Sequence, residues 1–131
     1  MIQDDIRLLI VDDVPQVRQG LVTMLKLVAK NIRPGIQVVG EAKNGSEAIQ
    51  QVQVSHPDVI LMDLEMPVLN GYAATQSIKS ANPSILIVAL TIHNDLASRQ
   101  KAFDSGVDFF IEKGAPLEEL LQAIQISRRA T

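Results

Sequence analysis

Short, nearly continuous apolar runs alternate along this chain with longer stretches in which apolar residues recur every third or fourth position. The runs are IRLLIV (6–11), IQVVGE (36–41), DVILM (58–62), ILIVAL (85–90) and VDFFI (107–111). Runs with little polar alternation suit strands covered on both faces, as in a parallel sheet. Behind the first run, Pro15 fits a first helical position and Val17, Leu21, Met24, Leu25 and Val28 follow at helical spacing. A helix is predicted over 15–30, closed by NIRPG through Pro34 and Gly35. Further helices are predicted over 45–55 with Ser46 as cap, over 72–80 behind the turn LNG, and over 95–106 between an acidic cap and Gly106. The last, over 116–127, starts at Pro116 with acids in its first turn, as the helix dipole prefers.

The order is therefore β-α repeated five times, with no linker or low-complexity tract. Right-handed crossovers between parallel strands then predict an α/β, flavodoxin-like doubly wound (βα)5 sheet of strand order 2-1-3-4-5. At 131 residues, 47% of them hydrophobic, the chain reads as one domain over 1–131 with a single sizeable core. A net charge of −3 without a basic run argues against direct nucleic-acid binding by this chain. The absence of cysteine excludes disulfides, thiol nucleophiles and zinc–thiolate sites. No signal-like N-terminus and no apolar run long enough to span a bilayer point to a cytoplasmic protein without a membrane partner.

Ligands of open α/β sheets bind beyond the carboxyl ends of the strands. Here the first strand ends in Asp12 and Asp13, the third in Asp63 and the fourth in Thr91, and Lys113 follows the fifth. In the order 2-1-3-4-5 the first and third strands are central neighbours, so three carboxylates converge, with a hydroxyl and an ammonium beside them. Their mutual repulsion is expected to raise at least one carboxylate pKa unless a divalent cation neutralises the site. Mg²⁺ is the expected ion, since it takes few carboxylates, retained waters and phosphate oxygens. Each residue also has an ordinary role: Asp13 as a helix cap, Asp63 as an acceptor for loop amides, Thr91 as a strand former, Lys113 as a solvated cation. Only a joint site accounts for all five at one sheet edge.

The stretches IVDDVPQVRQGL (10–21), GEAKNGSEAI (40–49), PDVILMDLEMPVLNGYAA (57–74), LIVALT (86–91) and FDSGVDFFIEKGAPLEELLQAI (103–124) resemble the receiver domains of two-component response regulators. GEAKNG, MDLEMPVLNG and KGAPLEELLQAI are most similar to receivers attached to helix-turn-helix domains of the NarL/FixJ type. The resemblance implies that Asp63 accepts a phosphoryl group from the phosphohistidine of a sensor histidine kinase or a histidine phosphotransfer protein. It implies Mg²⁺ held by Asp12, Asp13, Asp63 and the backbone carbonyl of Glu65. Thr91 and Lys113 would bind phosphoryl oxygens, and Thr91 and Phe110 would form the switch. Without a hydroxyl, Phe110 would signal by shape alone. Glu65 and His93 occupy positions that tune phosphoryl lifetime in the family, and bulky Ile92 is expected to screen the phosphoryl group from water. His56, in the turn before the third strand, carries no mark of a ligand or phosphodonor. Homodimerisation through a helix face and a DNA-binding domain beyond the C-terminus are further family properties; the chain fits a stand-alone receiver or a piece of a longer regulator.

Three rivals remain. A flavodoxin would need a Ser/Thr/Gly-rich phosphate loop where DDVPQ stands, and more aromatics. An aspartate-nucleophile phosphatase would place its D-x-D motif after the first strand, whereas DLE (63–65) follows the third. A phosphorylation-independent pseudo-receiver would lack one of the five site residues, and none is missing.

Overall fold

The computed structural model describes residues 4–129; positions 1–3 and 130–131 of the predicted 1–131 unit lie outside the described residues. Five parallel strands, β1 (Ile6–Val11), β2 (Ile36–Ala42), β3 (Val59–Asp63), β4 (Leu86–Thr91) and β5 (Phe109–Glu112), form one sheet in the order β2-β1-β3-β4-β5. This is the predicted order. The helices are α1 (Pro15–Val28), α2 (Gly45–Ser55), α3 (Gly71–Ala81), α4 (Leu96–Ser105) and α5 (Leu117–Arg129).

Strand alternation splits the apolar residues between two cores. Ile6, Leu8, Ile10, Val59, Leu61, Val88, Leu90 and Ile111 face Leu25 of α1 and Leu120 and Ile124 of α5. The intervening Leu9, Val11, Ile60, Met62, Ile87 and Ala89 face α2, α3 and α4, against Val52, Tyr72, Ile78 and Ala102. Burial on both faces is why the runs lack polar alternation.

Strand and helix ends shift by one or two residues from the prediction, and three helix termini differ in a way that the chemistry explains. α1 gives way after Val28 to a short 3-10 turn over Ala29–Asn31, ahead of the predicted end. α2 is capped by Asn44, whose Oδ1 accepts from Glu47 N at 2.8 Å, so Ser46 is not the cap. Glu47 in turn accepts from Lys43 N at 3.1 Å, and this reciprocal pairing satisfies two otherwise open donors. α5 begins at Leu117, one residue after Pro116. Asp95 and Gly106 cap α4 as predicted.

The amino edge of the sheet is clamped by side chains. Arg7 donates to the carbonyls of Ser55 and His56, and Asp58 accepts from Arg7 N at 2.9 Å. Lys79 Nζ reaches Asp108 Oδ2 at 3.1 Å and the carbonyls of Pro83 and Ile85, while Asp108 also accepts from Ile87 N. His56, φ 47°, closes α2 in a left-handed conformation within this edge. Among the described residues, no helix is long and apolar enough to cross a membrane.

Candidate functional site

The register of the sheet builds the site at its opposite, carboxyl edge. Val11 pairs with Met62 across β1 and β3, so Asp12 and Asp63 are the next two residues of adjacent strands. Both continue the alternation that faces α1 and α5, and both are almost fully buried, at 1% and 3% exposed. Asp13 follows in the turn and is half-buried. Carboxylate oxygens of Asp12, Asp13 and Asp63 all lie within 4.8 Å of one another.

Lys113, just beyond β5, answers the charge. Its Nζ stands 3.0 Å from Asp12 Oδ2 and 3.3 Å from Asp63 Oδ2. Asp12 Oδ2 is buried, and apart from that ammonium it has no partner among the described residues. Burial pushes the Asp63 carboxyl from 3.8 up to about 6. The Glu65 N–H and the Lys113 charge oppose that shift, while Asp12 and Asp13 add to it. Charge repulsion, the expected cause, thus contributes less than desolvation. Burial alone would pull the Lys113 ammonium down, but its contacts with Asp12 and Asp63 outweigh it and hold the pKa above the ordinary value.

Asp13 does not cap α1: Val14 occupies that position and no side chain caps the helix. Instead Asp12 Oδ1 accepts from Val14 N at 2.9 Å and Asp63 Oδ1 from Glu65 N at 3.1 Å. Asp63 therefore does satisfy a loop amide, alongside whatever chemistry it performs. Gly71 is required behind it: a Cβ there would fall 2.2 Å from the Asp63 carbonyl oxygen.

Thr91 ends β4 fully buried, and its Oγ1 accepts from His93 N at 3.1 Å. Ile92, His93 and Glu65 are exposed at the mouth of the site. Phe110 lies away from the carboxylates, half-buried between β4 and α4, with the Arg99 guanidinium 4.9 Å above its ring and Phe103 6.4 Å away. Its position ties it to α4 and not to the acid cluster. His56 lies at the clamped amino edge, on the opposite side of the sheet from the carboxylates.

One functional contact is not evident from sequence pattern. Leu8 pairs with Val38 but Leu9 with Gly40, leaving Val39 as an extra residue in β2. This bulge reverses the alternation, so Glu41 pairs with Ile10 and shares its α1-facing side. There Arg18 Nε donates to Glu41 Oε1 at 3.1 Å, and Arg18 Nη1 to the Asp12 carbonyl at 2.8 Å.

The family model for the response regulator receiver domain matches residues 8–125. Response regulator GacA of Pseudomonas viridiflava is 36% identical over 121 residues, 92% of this chain and 54% of that protein. The chain thus spans about half the length of the relatives it matches. A LuxR-family two-component response regulator from Aurantimonas superposes with a TM-score of 0.82 at 34% identity, covering 94% of this chain and 84% of that one. The receiver domain of the response regulator NarL from Mycobacterium tuberculosis superposes with a TM-score of 0.85 at 26% identity, covering 96% and 98%.

Proposed function

The chain belongs to the response regulator receiver family, as a receiver of the NarL/FixJ type, and from that membership we propose that Asp63 accepts a phosphoryl group from a phosphohistidine. The donor is a sensor histidine kinase or a histidine phosphotransfer protein. A carboxylate oxygen of Asp63 forms the new P–O bond as the P–N bond to histidine breaks, and the imidazole keeps the electron pair. The observation that carries this reading is the convergence of three carboxylates on Lys113 at the carboxyl edge.

The donor set fits a divalent cation. It is all oxygen, lies within 4.8 Å, and includes a buried Asp12 Oδ2 that, among the described residues, is met by the Lys113 ammonium alone. Asp12, Asp13, Asp63 and the Glu65 carbonyl are the proposed holders of Mg²⁺. When bound, the ion neutralises charge on the carboxylates and on the transferred group. Lys113 pairs with one phosphoryl oxygen and orients the group. Thr91 donates its hydroxyl hydrogen, which its lone pairs' acceptance from the His93 N–H leaves free, to another. Phe110 follows Thr91 inward on the side facing α4. Glu65, Ile92 and His93 at the mouth set how readily water reaches the phosphoryl group, and so its lifetime.

The domain is a signalling switch that modifies itself once per cycle, and is not a turnover enzyme. We read 1–131 as one receiver unit whose output is transcriptional control, in line with a relative named as a transcriptional regulatory protein, and the NarL/FixJ likeness assigns that output to a DNA-binding domain. Homodimerisation through a helix face is part of the same reading.

Intact mass after incubation with a small acyl phosphate tests it, with and without Mg²⁺, on wild type and Asp63→Asn. One Mg²⁺-dependent phosphoryl adduct in the wild type, absent in the variant, is expected. An unmodified wild type, or an adduct that survives Asp63→Asn, overturns the assignment.

A further inference from the structure

The Asp12–Asp13 peptide has to be held if Asp13 is to point at the other two carboxylates. The start of α1 does not hold it by capping, because Val14 offers no side-chain acceptor. Asp12 is instead fixed at three atoms: its N donates to the Ala42 carbonyl at 3.0 Å, its Oδ1 accepts from Val14, and its carbonyl oxygen accepts from Arg18. That carbonyl belongs to the peptide from which Asp13 departs. Arg18 is 15% exposed at its side chain and is itself aligned by Glu41. A planar guanidinium gripped at Nε fixes the direction of its Nη1 donor. Glu41 reaches it only because the extra residue Val39 turns Glu41 onto the α1 side of β2.

We propose that Arg18 is a positioning residue for the cation site. Held by Glu41, it locks the Asp12–Asp13 peptide so that Asp13 meets Asp12 and Asp63, and it thereby sets Mg²⁺ affinity. The inference rests on reading the three carboxylates as a cation site. Its sign separates it from simple electrostatics. Deleting a positive charge near a cation site strengthens cation binding by Coulomb's law, whereas deleting a support for a ligand weakens it.

The experiment is calorimetric titration with Mg²⁺ of the 131-residue chain as wild type, Arg18→Gln, Arg18→Lys and Glu41→Gln. It is paired with amide hydrogen exchange at Val14 in the metal-free proteins. Arg18→Gln is expected to weaken Mg²⁺ binding roughly 10-fold, the low end for loss of a group that orients a metal ligand. Exchange at Val14 should rise while the amide of Leu61, in the centre of β3, stays protected. Arg18→Lys restores binding in part through the Asp12 carbonyl. Glu41→Gln, the variant least able to harm folding, weakens binding by a smaller factor. Unchanged or tighter Mg²⁺ binding in Arg18→Gln overturns the inference whatever Glu41→Gln does, since loss of the Glu41 charge weakens cation binding by Coulomb's law alone. A wild type that takes up no Mg²⁺ overturns the cation-site reading itself, a distinguishable failure.

Discussion

The Asp63 carboxyl carries a proton in the folded protein over a pH window in which the unfolded chain has already released it. With the folded pKa at about 6 and the ordinary value at 3.8, that window runs between those values. The metal-free fold therefore loses stability as pH rises from about 4 to about 6, and the loss persists above it. Asp63→Asn removes the penalty and leaves Lys113 its contact with Asp12. The variant should match wild type near pH 4 and exceed it at pH 7 by on the order of 2 kcal/mol, as denaturant melts in a chelator would register. A second residue stores strain of another kind. Val68 is β-branched, 85% exposed and sits at φ 71°, a left-handed conformation that asparagine tolerates far better. Val68→Asn should raise stability by about 1 kcal/mol in the same melts. The five site residues are legible in the sequence because each follows an apolar run, and position at a strand end survives small errors of boundary. The direction of the Asp63 shift is legible for the same reason. Its leading cause is not, since burial depends on what α1 and α5 cover.

Among the elements, α3 carries a local cost and a local constraint. Thr75 is fully buried, and its Oγ1 has no hydrogen-bond partner among the described residues. Valine has the same shape without the hydroxyl, so Thr75→Val should stabilise the protein by about 1 kcal/mol; an unchanged or lower unfolding midpoint would contradict this. At the first residue of α3, the absence of a side chain at Gly71 lets the helix start against the Asp63 carbonyl. Gly71→Ala is expected to displace the acceptor strand end and abolish acyl-phosphate labelling while far-UV dichroism remains native. Helix positions follow from periodicity and caps, so they are read within a residue or two. The one sequence signal for the bulge at Val39 is Gly40, set inside the strand run IQVVGE, and a glycine there does not by itself fix the register. It is that bulge, set by the packing of β2 on β1, which brings Glu41 to Arg18.

Across the whole molecule, strand order follows from the alternation of elements and the handedness of their crossovers, which is why topology is foreseeable from 131 residues without any known contact. The side-chain clamps at the amino edge are not foreseeable in this way: Arg7, Lys79 and Asp108 look like ordinary surface charges until the chain is folded. They divide the molecule into two ends with different tolerance for change. Four glycines inserted between His56 and Pro57 would part Arg7 from its carbonyl partners and lower the unfolding midpoint markedly. The same insertion between His93 and Asn94, both exposed, adds only the modest entropy of a longer loop. Loop grafting can therefore rewrite the carboxyl end of this protein, where the proposed phosphoryl site lies, while the clamped end keeps the chain foldable through each intermediate sequence.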